Sequence, residues 1–291
     1  MGQRRAVVWI VSAAVTGVLL AGCADRGPGA AQSPGRTASG SASTPTRSTT
    51  PSPTASATTV DAAELTSLTQ QVATPLQIVV SGTGTDQISA GRISTPTAWS
   101  TLKVPIAIAA LSRGTADIDD VKEAITISDN DAAIRLWNSL GSGEGAADTV
   151  QSVLSAHGDA DTTVLPDAKV DPDEPFGMTQ WQADDQARFT DWLACATDPS
   201  ARTVRSYMGQ IDSSQQFGLA GIHPSMVKAG WGDEDSGQYT VRQMAVLPHD
   251  DGYSVVTFIA QGDSEASVDR TVQEVGKWIS ARSSQLPLRH C

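Results

Sequence analysis

Ala98-Trp99-Ser100-Thr101-Leu102-Lys103-Val104-Pro105, running into the apolar stretch from Ile106 to Leu111, is the segment on which the reading of this 291-residue chain turns. The apolar run reads as a buried helix. It sets a serine and a lysine three positions apart on one face of the first turn, within reach of a hydrogen bond. A serine hydroxyl is a poor nucleophile until a neighbour takes its proton. A lysine takes it only when burial or a second cation pulls its own pKa down. Ser100 taken alone also reads as a helix cap, so the weight falls on polar motifs elsewhere in the chain.

Two such motifs lie downstream. Ser128-Asp129-Asn130 sits in Ala124-Ile125-Thr126-Ile127-Ser128-Asp129-Asn130-Asp131-Ala132-Ala133 ahead of a helical pattern, and Lys228-Ala229-Gly230 sits in a strand-like stretch. Alone, the first is a good helix start and Lys228 an ordinary strand residue. In this order, the sequence resembles the penicillin-recognising serine enzymes, class A β-lactamases and D,D-peptidases, whose signature is S-x-x-K, S-D-N and K-T-G. The resemblance implies Ser100 as nucleophile, Lys103 as its base and Ser128 as proton shuttle to the leaving atom. It implies Asn130 as the amide that fixes Lys103 and the substrate carbonyl, and Lys228 as positive potential for a substrate carboxylate. Backbone N–H groups of Ser100 and of Trp231, which comes directly after Gly230, would form the oxyanion hole.

Three departures bear on activity. Ala229 replaces the hydroxyl residue of the third motif, removing a bond to a charged group worth about 1.5–3 kcal/mol; Arg242 on the next strand is the candidate replacement, if the strand register turns it to the same face. The Glu-x-x-Leu-Asn loop that deacylates class A enzymes has no counterpart, and Glu174 reads as a loop acid. The stretch from Ser100 to Ser128 is about half the length usual in that class, which implies a shortened helical insertion and a more open cleft.

The ends set the compartment. Arg4 and Arg5 precede an apolar run from Ala6 to Leu20 and the boundary Leu20-Ala21-Gly22-Cys23, so residues 1–22 read as a secretory signal. Cys23 resembles the lipidated cysteine of bacterial lipoproteins, the alternative being an ordinary signal with an incidental cysteine. Residues 23–58 are mostly Ser, Thr, Pro, Gly and Ala and read as a tether with a reach of roughly 30 Å. The expected location is extracytoplasmic, held to the cell membrane by the lipid.

Residues 59–291 suffice for one sizeable domain. Of 20 basic and 32 acidic residues, Arg4, Arg5, Arg26, Arg36, Arg47 and Asp25 precede it, leaving 15 bases against 31 acids, a net charge of −16. That argues against nucleic acid or anionic lipid as a direct partner of the folded domain. In an exported domain the two remaining thiols, Cys195 and Cys291, pair as a disulfide or stay as structural cysteines. His157, His223, His249 and His290 lack zinc-ligand spacing, and the chemistry so read needs neither metal nor cofactor.

Periodicity supplies the architecture. A helix spans 60–72 after Asp61, strands cover Leu76–Ser81 and Gln87–Ala90, and the middle to Cys195 is mostly helical, clearest over Ala132–Leu140 and Trp181–Leu193, with an irregular proline-bearing loop over Asp161–Gly177. Three strands come next at Met226–Gly230, Tyr239–Leu247 and Tyr253–Ala260, and Ser267–Ile279 closes as an amphipathic helix. The order predicts an α+β domain, an antiparallel sheet flanked by terminal helices, and the resemblance implies the same β-lactamase/transpeptidase-like layout. The function expected is serine acyl transfer on peptidoglycan-type peptides or β-lactam-like molecules; the alternative is a non-catalytic protein binding a cell-wall fragment or an envelope protein.

Overall fold

The N-terminal helix begins where Asp61 offers its side chain to the backbone. In the computed structural model, which describes residues 59–82, 87–166 and 176–291, Asp61 Oδ1 accepts from Glu64 N at 2.9 Å and Glu64 Oε2 accepts from Asp61 N at 3.4 Å. This capping box satisfies two orphan donors and starts α1 (Ala62–Gln71). The proposed signal segment, Cys23, the tether and Glu174 lie outside the described residues.

Among the described residues, five strands make one antiparallel sheet: β1 (Leu76–Ser81), β2 (Gln87–Ala90), β3 (Met226–Asp233), β4 (Tyr239–His249) and β5 (Gly252–Gly262), in the order β2-β1-β5-β4-β3. Each of the three C-terminal strands runs past its expected end. All of β1 and most of β4 and β5 are buried, because both faces of the sheet are covered. On one face α1 and α8 (Glu265–Ala281) pack Leu65, Leu68, Val268, Val272, Val275 and Ile279 against Ile78, Val80 and Phe258. On the other, α6 (Ala183–Cys195) lays Ala183 and Ala187 over Val79 and Ile259. At about 25 cal/mol per Å² of apolar area, layers of this kind dominate the folding energy.

A second core lies among the helices that separate β2 from β3. At its centre is α2 (Lys103–Arg113), buried from Lys103 to Ala110, with α3 (Ile118–Thr126), α4 (Asn130–Ser139), α5 (Gly143–Ala156) and α7 (Pro199–Met208) around it. A helix apolar on every side must be enclosed, and that enclosure fixes the segment ahead of its first turn. Residues 114–117 alone join α2 to α3, so the insertion between Ser100 and Ser128 is a single short helical hairpin.

Cys195 and Cys291 are joined, with 1.99 Å between sulfurs and 5.3 Å between Cα atoms. The bond ties the end of α6 to the last residue, whose approach is held by an antiparallel bridge between Tyr253 and Arg289. Two details differ from the sequence reading. The helix expected over Trp181–Leu193 begins at Ala183, leaving Trp181 buried ahead of it. Residues after Cys195 form the additional helix α7, started by Asp198, which accepts from Ala201 N at 2.9 Å, and by Pro199 at its first position.

Candidate active site

The segment before Ser100 is strapped down on both sides. Ala98 N donates to Thr179 O and Trp99 N to Gly177 O, each at 2.7 Å, while Trp181 N donates to Pro96 O at 2.8 Å. These bonds hold Trp99 at φ +47°, a left-handed conformation that costs a bulky residue ~1–3 kcal/mol and persists only where the surroundings over-determine it. The 3-10 turn Trp99–Leu102 then carries Ser100 into α2, with Lys103 N bonded to Ser100 O. Ser100 is 8 % exposed and Lys103 fully buried.

Lys103 reaches across to the link between α3 and α4. Its Nζ donates to Ser128 O at 2.7 Å, approaches Ser128 Oγ at 3.4 Å and makes a short bond to Asn130 Oδ1. Ser128 has φ +61°, and the next residue caps α4, Asp129 Oδ1 accepting from Ala132 N at 2.7 Å. From the sheet, Lys228 on β3, only 2 % exposed, donates to the same Ser128 Oγ at 2.7 Å and to Ala229 O at 3.0 Å. Two lysine Nζ atoms thus face one hydroxyl. An oxygen with both lone pairs so occupied has its own proton left to give elsewhere.

β3 passes directly beside Ser100. A Cβ on Gly230 would lie 2.8 Å from Ser100 N and from Trp99 Cβ, and one on Gly232 would lie 2.3 Å from the Trp99 ring. Only glycine permits this approach at either position. Trp231, between them, is 36 % exposed and meets Phe217 edge to face at 5.7 Å.

The register settles which β4 residue accompanies Ala229. Its partner is Gln243; Arg242 lies across from Gly230, on the opposite face. Arg242 is fully buried, Nη1 donating to Pro96 O, Thr97 O and Trp181 O at 2.8–3.0 Å and Nη2 to Gln186 Oε1 at 2.8 Å. Burial pushes its pKa down to about 9, with Glu234 pulling the other way, so it remains a cation at neutral pH. The substrate-binding position expected for Arg242 is therefore corrected: it is a strut that carries the strand ahead of Ser100. Gln243 is equally committed, its Oε1 accepting from Leu219 N at 2.8 Å and its Nε2 donating to Phe217 O at 2.9 Å.

One participant was not read from the sequence. Glu234, in the turn after β3, is buried and accepts from Thr97 Oγ1 at 2.7 Å and Trp99 Nε1 at 3.3 Å, and Thr97 Oγ1 also accepts from Gln180 Nε2 at 3.0 Å. Among the described residues no group of three or more His, Cys, Asp or Glu side chains is placed to hold a metal ion.

No protein-family model and no curated protein matches this chain. Solved structures do match its fold. A reconstructed class A β-lactamase of the last common ancestor of Gram-negative bacteria superposes with a TM-score of 0.57 at 18 % identity, over 76 % of this chain and 98 % of that one. A β-lactamase from Xanthomonas campestris pv. campestris gives 0.57 at 17 % identity over 76 % and 98 %, and one from Burkholderia vietnamiensis gives 0.56 at 14 % over 76 % and 95 %. The chain has the class A β-lactamase fold.

Proposed function

We propose that this chain is an extracytoplasmic serine hydrolase, anchored to the cell membrane through a lipid on Cys23, that transfers an acyl group through Ser100. Its substrates are amides or esters of the peptidoglycan-peptide or β-lactam type. The observation that carries the reading is the meeting of Lys103, three residues after Ser100, with Asn130 and with Ser128, to which Lys228 also donates. An ordinary helix cap needs none of these.

In the proposed reaction the Ser100 Oγ–carbonyl bond forms as the hydroxyl proton passes to neutral Lys103. The developing oxyanion lies against the backbone N–H groups of Ser100 and Trp231, where each such donor contributes about 3 kcal/mol. Collapse breaks the bond to the leaving nitrogen or oxygen, which takes the Ser128 proton, replaced in turn from Lys103. Water then releases the acyl group. No deacylating glutamate was found in the sequence, which supports slow turnover.

The second reading, a non-catalytic protein that binds a cell-wall fragment or an envelope protein, draws on one observation. A substrate carboxylate beside Ala229 meets neither a hydroxyl there nor a cation across from it, because Gln243 occupies that position. Incubation of the full chain with a fluorescent penicillin, monitored by intact mass, separates the two. A stoichiometric adduct on wild type and none on Ser100→Ala supports acyl transfer, and the adduct's lifetime gives the turnover. No adduct, with no cleavage of thioester or D-Ala-D-Ala substrates, favours the binding protein.

A further inference from the structure

Gln186 on α6 is fully buried, and each end of its amide has a fixed partner. Oε1 accepts from Arg242 Nη2 at 2.8 Å, and Nε2 donates to Thr101 Oγ1 at 3.0 Å. The guanidinium can only donate, and the Thr101 hydroxyl gives its own proton to Ala98 O, so the amide is held in one orientation. A carboxylate of that size would keep only the acceptor, and a methionine neither. The 3-10 turn that carries Ser100 has no side-chain cap of its own; the Thr101 bond ties it to α6 instead.

These bonds close a ring around Ser100. Arg242 is the β4 residue paired with Gly230, so its side chain leaves the sheet on the face where Gly230 approaches Ser100 N. From there its guanidinium holds Pro96 O and Thr97 O ahead of the turn, and Gln186 carries that hold past the serine to Thr101. Helix α6 is itself pinned to the sheet where Thr257 Oγ1 on β5 donates to Ala183 O at 3.0 Å. Of the two proposed oxyanion donors, the Ser100 N–H rides on the turn and the Trp231 N–H on β3. The ring is the connection through which they keep one spacing. Resting on the acyl-transfer reading, we infer that Gln186 is a positioning residue that sets the spacing of these two donors around the substrate's carbonyl oxygen. It acts through Thr101, not by contact with the substrate.

The test compares p-nitrophenyl acetate with its thionoester, in which sulfur replaces the carbonyl oxygen. Sulfur is larger and a weaker acceptor, so N–H donors spaced for oxygen favour the oxygen ester. Rates of nitrophenolate release by the full chain are divided by each ester's uncatalysed hydrolysis rate, and acylation of Ser100 is checked by mass. The wild-type ratio of oxygen to sulfur ester in kcat/KM should be about 100-fold. It should fall about tenfold in Thr101→Val and in Gln186→Met, and return in Thr101→Ser, which restores the hydroxyl. A smaller folded fraction lowers both rates equally and leaves their ratio where it was, so loss of stability does not imitate this result. Should Gln186→Met fail to fold, Thr101→Val, which exchanges the hydroxyl for a methyl, decides alone. A wild-type ratio near unity, or a ratio that keeps its wild-type value in either variant, overturns the inference while leaving acyl transfer standing. No Ser100 adduct from either ester overturns acyl transfer itself, and this inference with it.

Discussion

The indole Nε1 of Trp99 donates to Glu234 Oε1 at 3.3 Å, joining the residue before the candidate nucleophile to a turn 135 positions later in the chain. The other oxygen of the same carboxylate accepts from Thr97 Oγ1 at 2.7 Å, so Glu234 spans the left-handed residue and the one two before it. Gly232 lies under the Trp99 ring. The end of β3 therefore acts as a clamp on the backbone that leads into Ser100, where Trp99 has φ +47°.

Glu234→Ala leaves a buried hydroxyl and a buried indole N–H without their acceptor. It should lower stability by about 1–3 kcal/mol. It should also slow acylation of Ser100 roughly 10- to 100-fold through misplacement of the nucleophile. Glu234→Gln, which keeps one acceptor, should lie between. Urea unfolding together with the rate of adduct formation measures both effects, and a wild-type acylation rate in Glu234→Ala would show that the clamp does not aim the serine.

Gly230→Ala is the sharper test of the contact between β3 and Ser100. The new methyl would sit 2.8 Å from Ser100 N and 3.1 Å from Ala98 O, both backbone atoms of the strapped segment. Relief requires the turn or the strand to move by several tenths of an ångström. Acylation should fall about 100-fold while circular dichroism stays that of the wild type. Unchanged acylation would mean that the gap is wider in solution than 2.8 Å implies.

The parts of this fold that were legible in the sequence are those set by local chemistry. Asp61 marks the start of the first helix, and the β-branched run of Leu76–Ser81 gives the limits of β1. Asp198-Pro199 carries a helix-start signal of the same local kind, from which α7 could have been read. Two features of the site were not local. Residues Thr240 to Leu247 of β4 are buried without interruption, so no alternation shows which face Arg242 takes, and the choice between it and Gln243 rests on a one-residue register. Glu234 stands in an acidic, glycine-flanked turn and looks solvated; its burial comes from Thr97 and Trp99, far upstream.

The disulfide gives a prediction about stability that is separable from the chemistry. Cys195 and Cys291 close a loop with a sequence separation of 96. Cys291→Ser should cost about 2–5 kcal/mol and free the last residues from their bridge at Tyr253. Thermal unfolding with and without reductant should bring the wild type down to the variant, and the variant's C-terminus should be trimmed faster by carboxypeptidase. Equal melting temperatures in both conditions would count against any stabilising role for the bond.

His157 sets the last expectation, and burial decides its sign. The imidazole stacks on Trp192 with ring centroids 3.6 Å apart, and burial holds its pKa below the usual 6.5, with Asp198 pulling it back up. Folded protein thus binds this proton less readily than unfolded chain. Its contribution to stability is complete above pH 6.5 and is lost as pH falls through the lower, folded value. His249 shifts the same way, again through burial first, while Asp185 and Asp191 are raised by burial and act with the opposite sign at lower pH. Those three groups are common to wild type and to His157→Phe, which keeps an aromatic stack without a titrating nitrogen. Urea midpoints at pH 7.5 and 5.5 should therefore fall further for the wild type than for His157→Phe. Parallel changes in the two proteins would mean that the ring is as accessible to protons in the folded state as in the unfolded one.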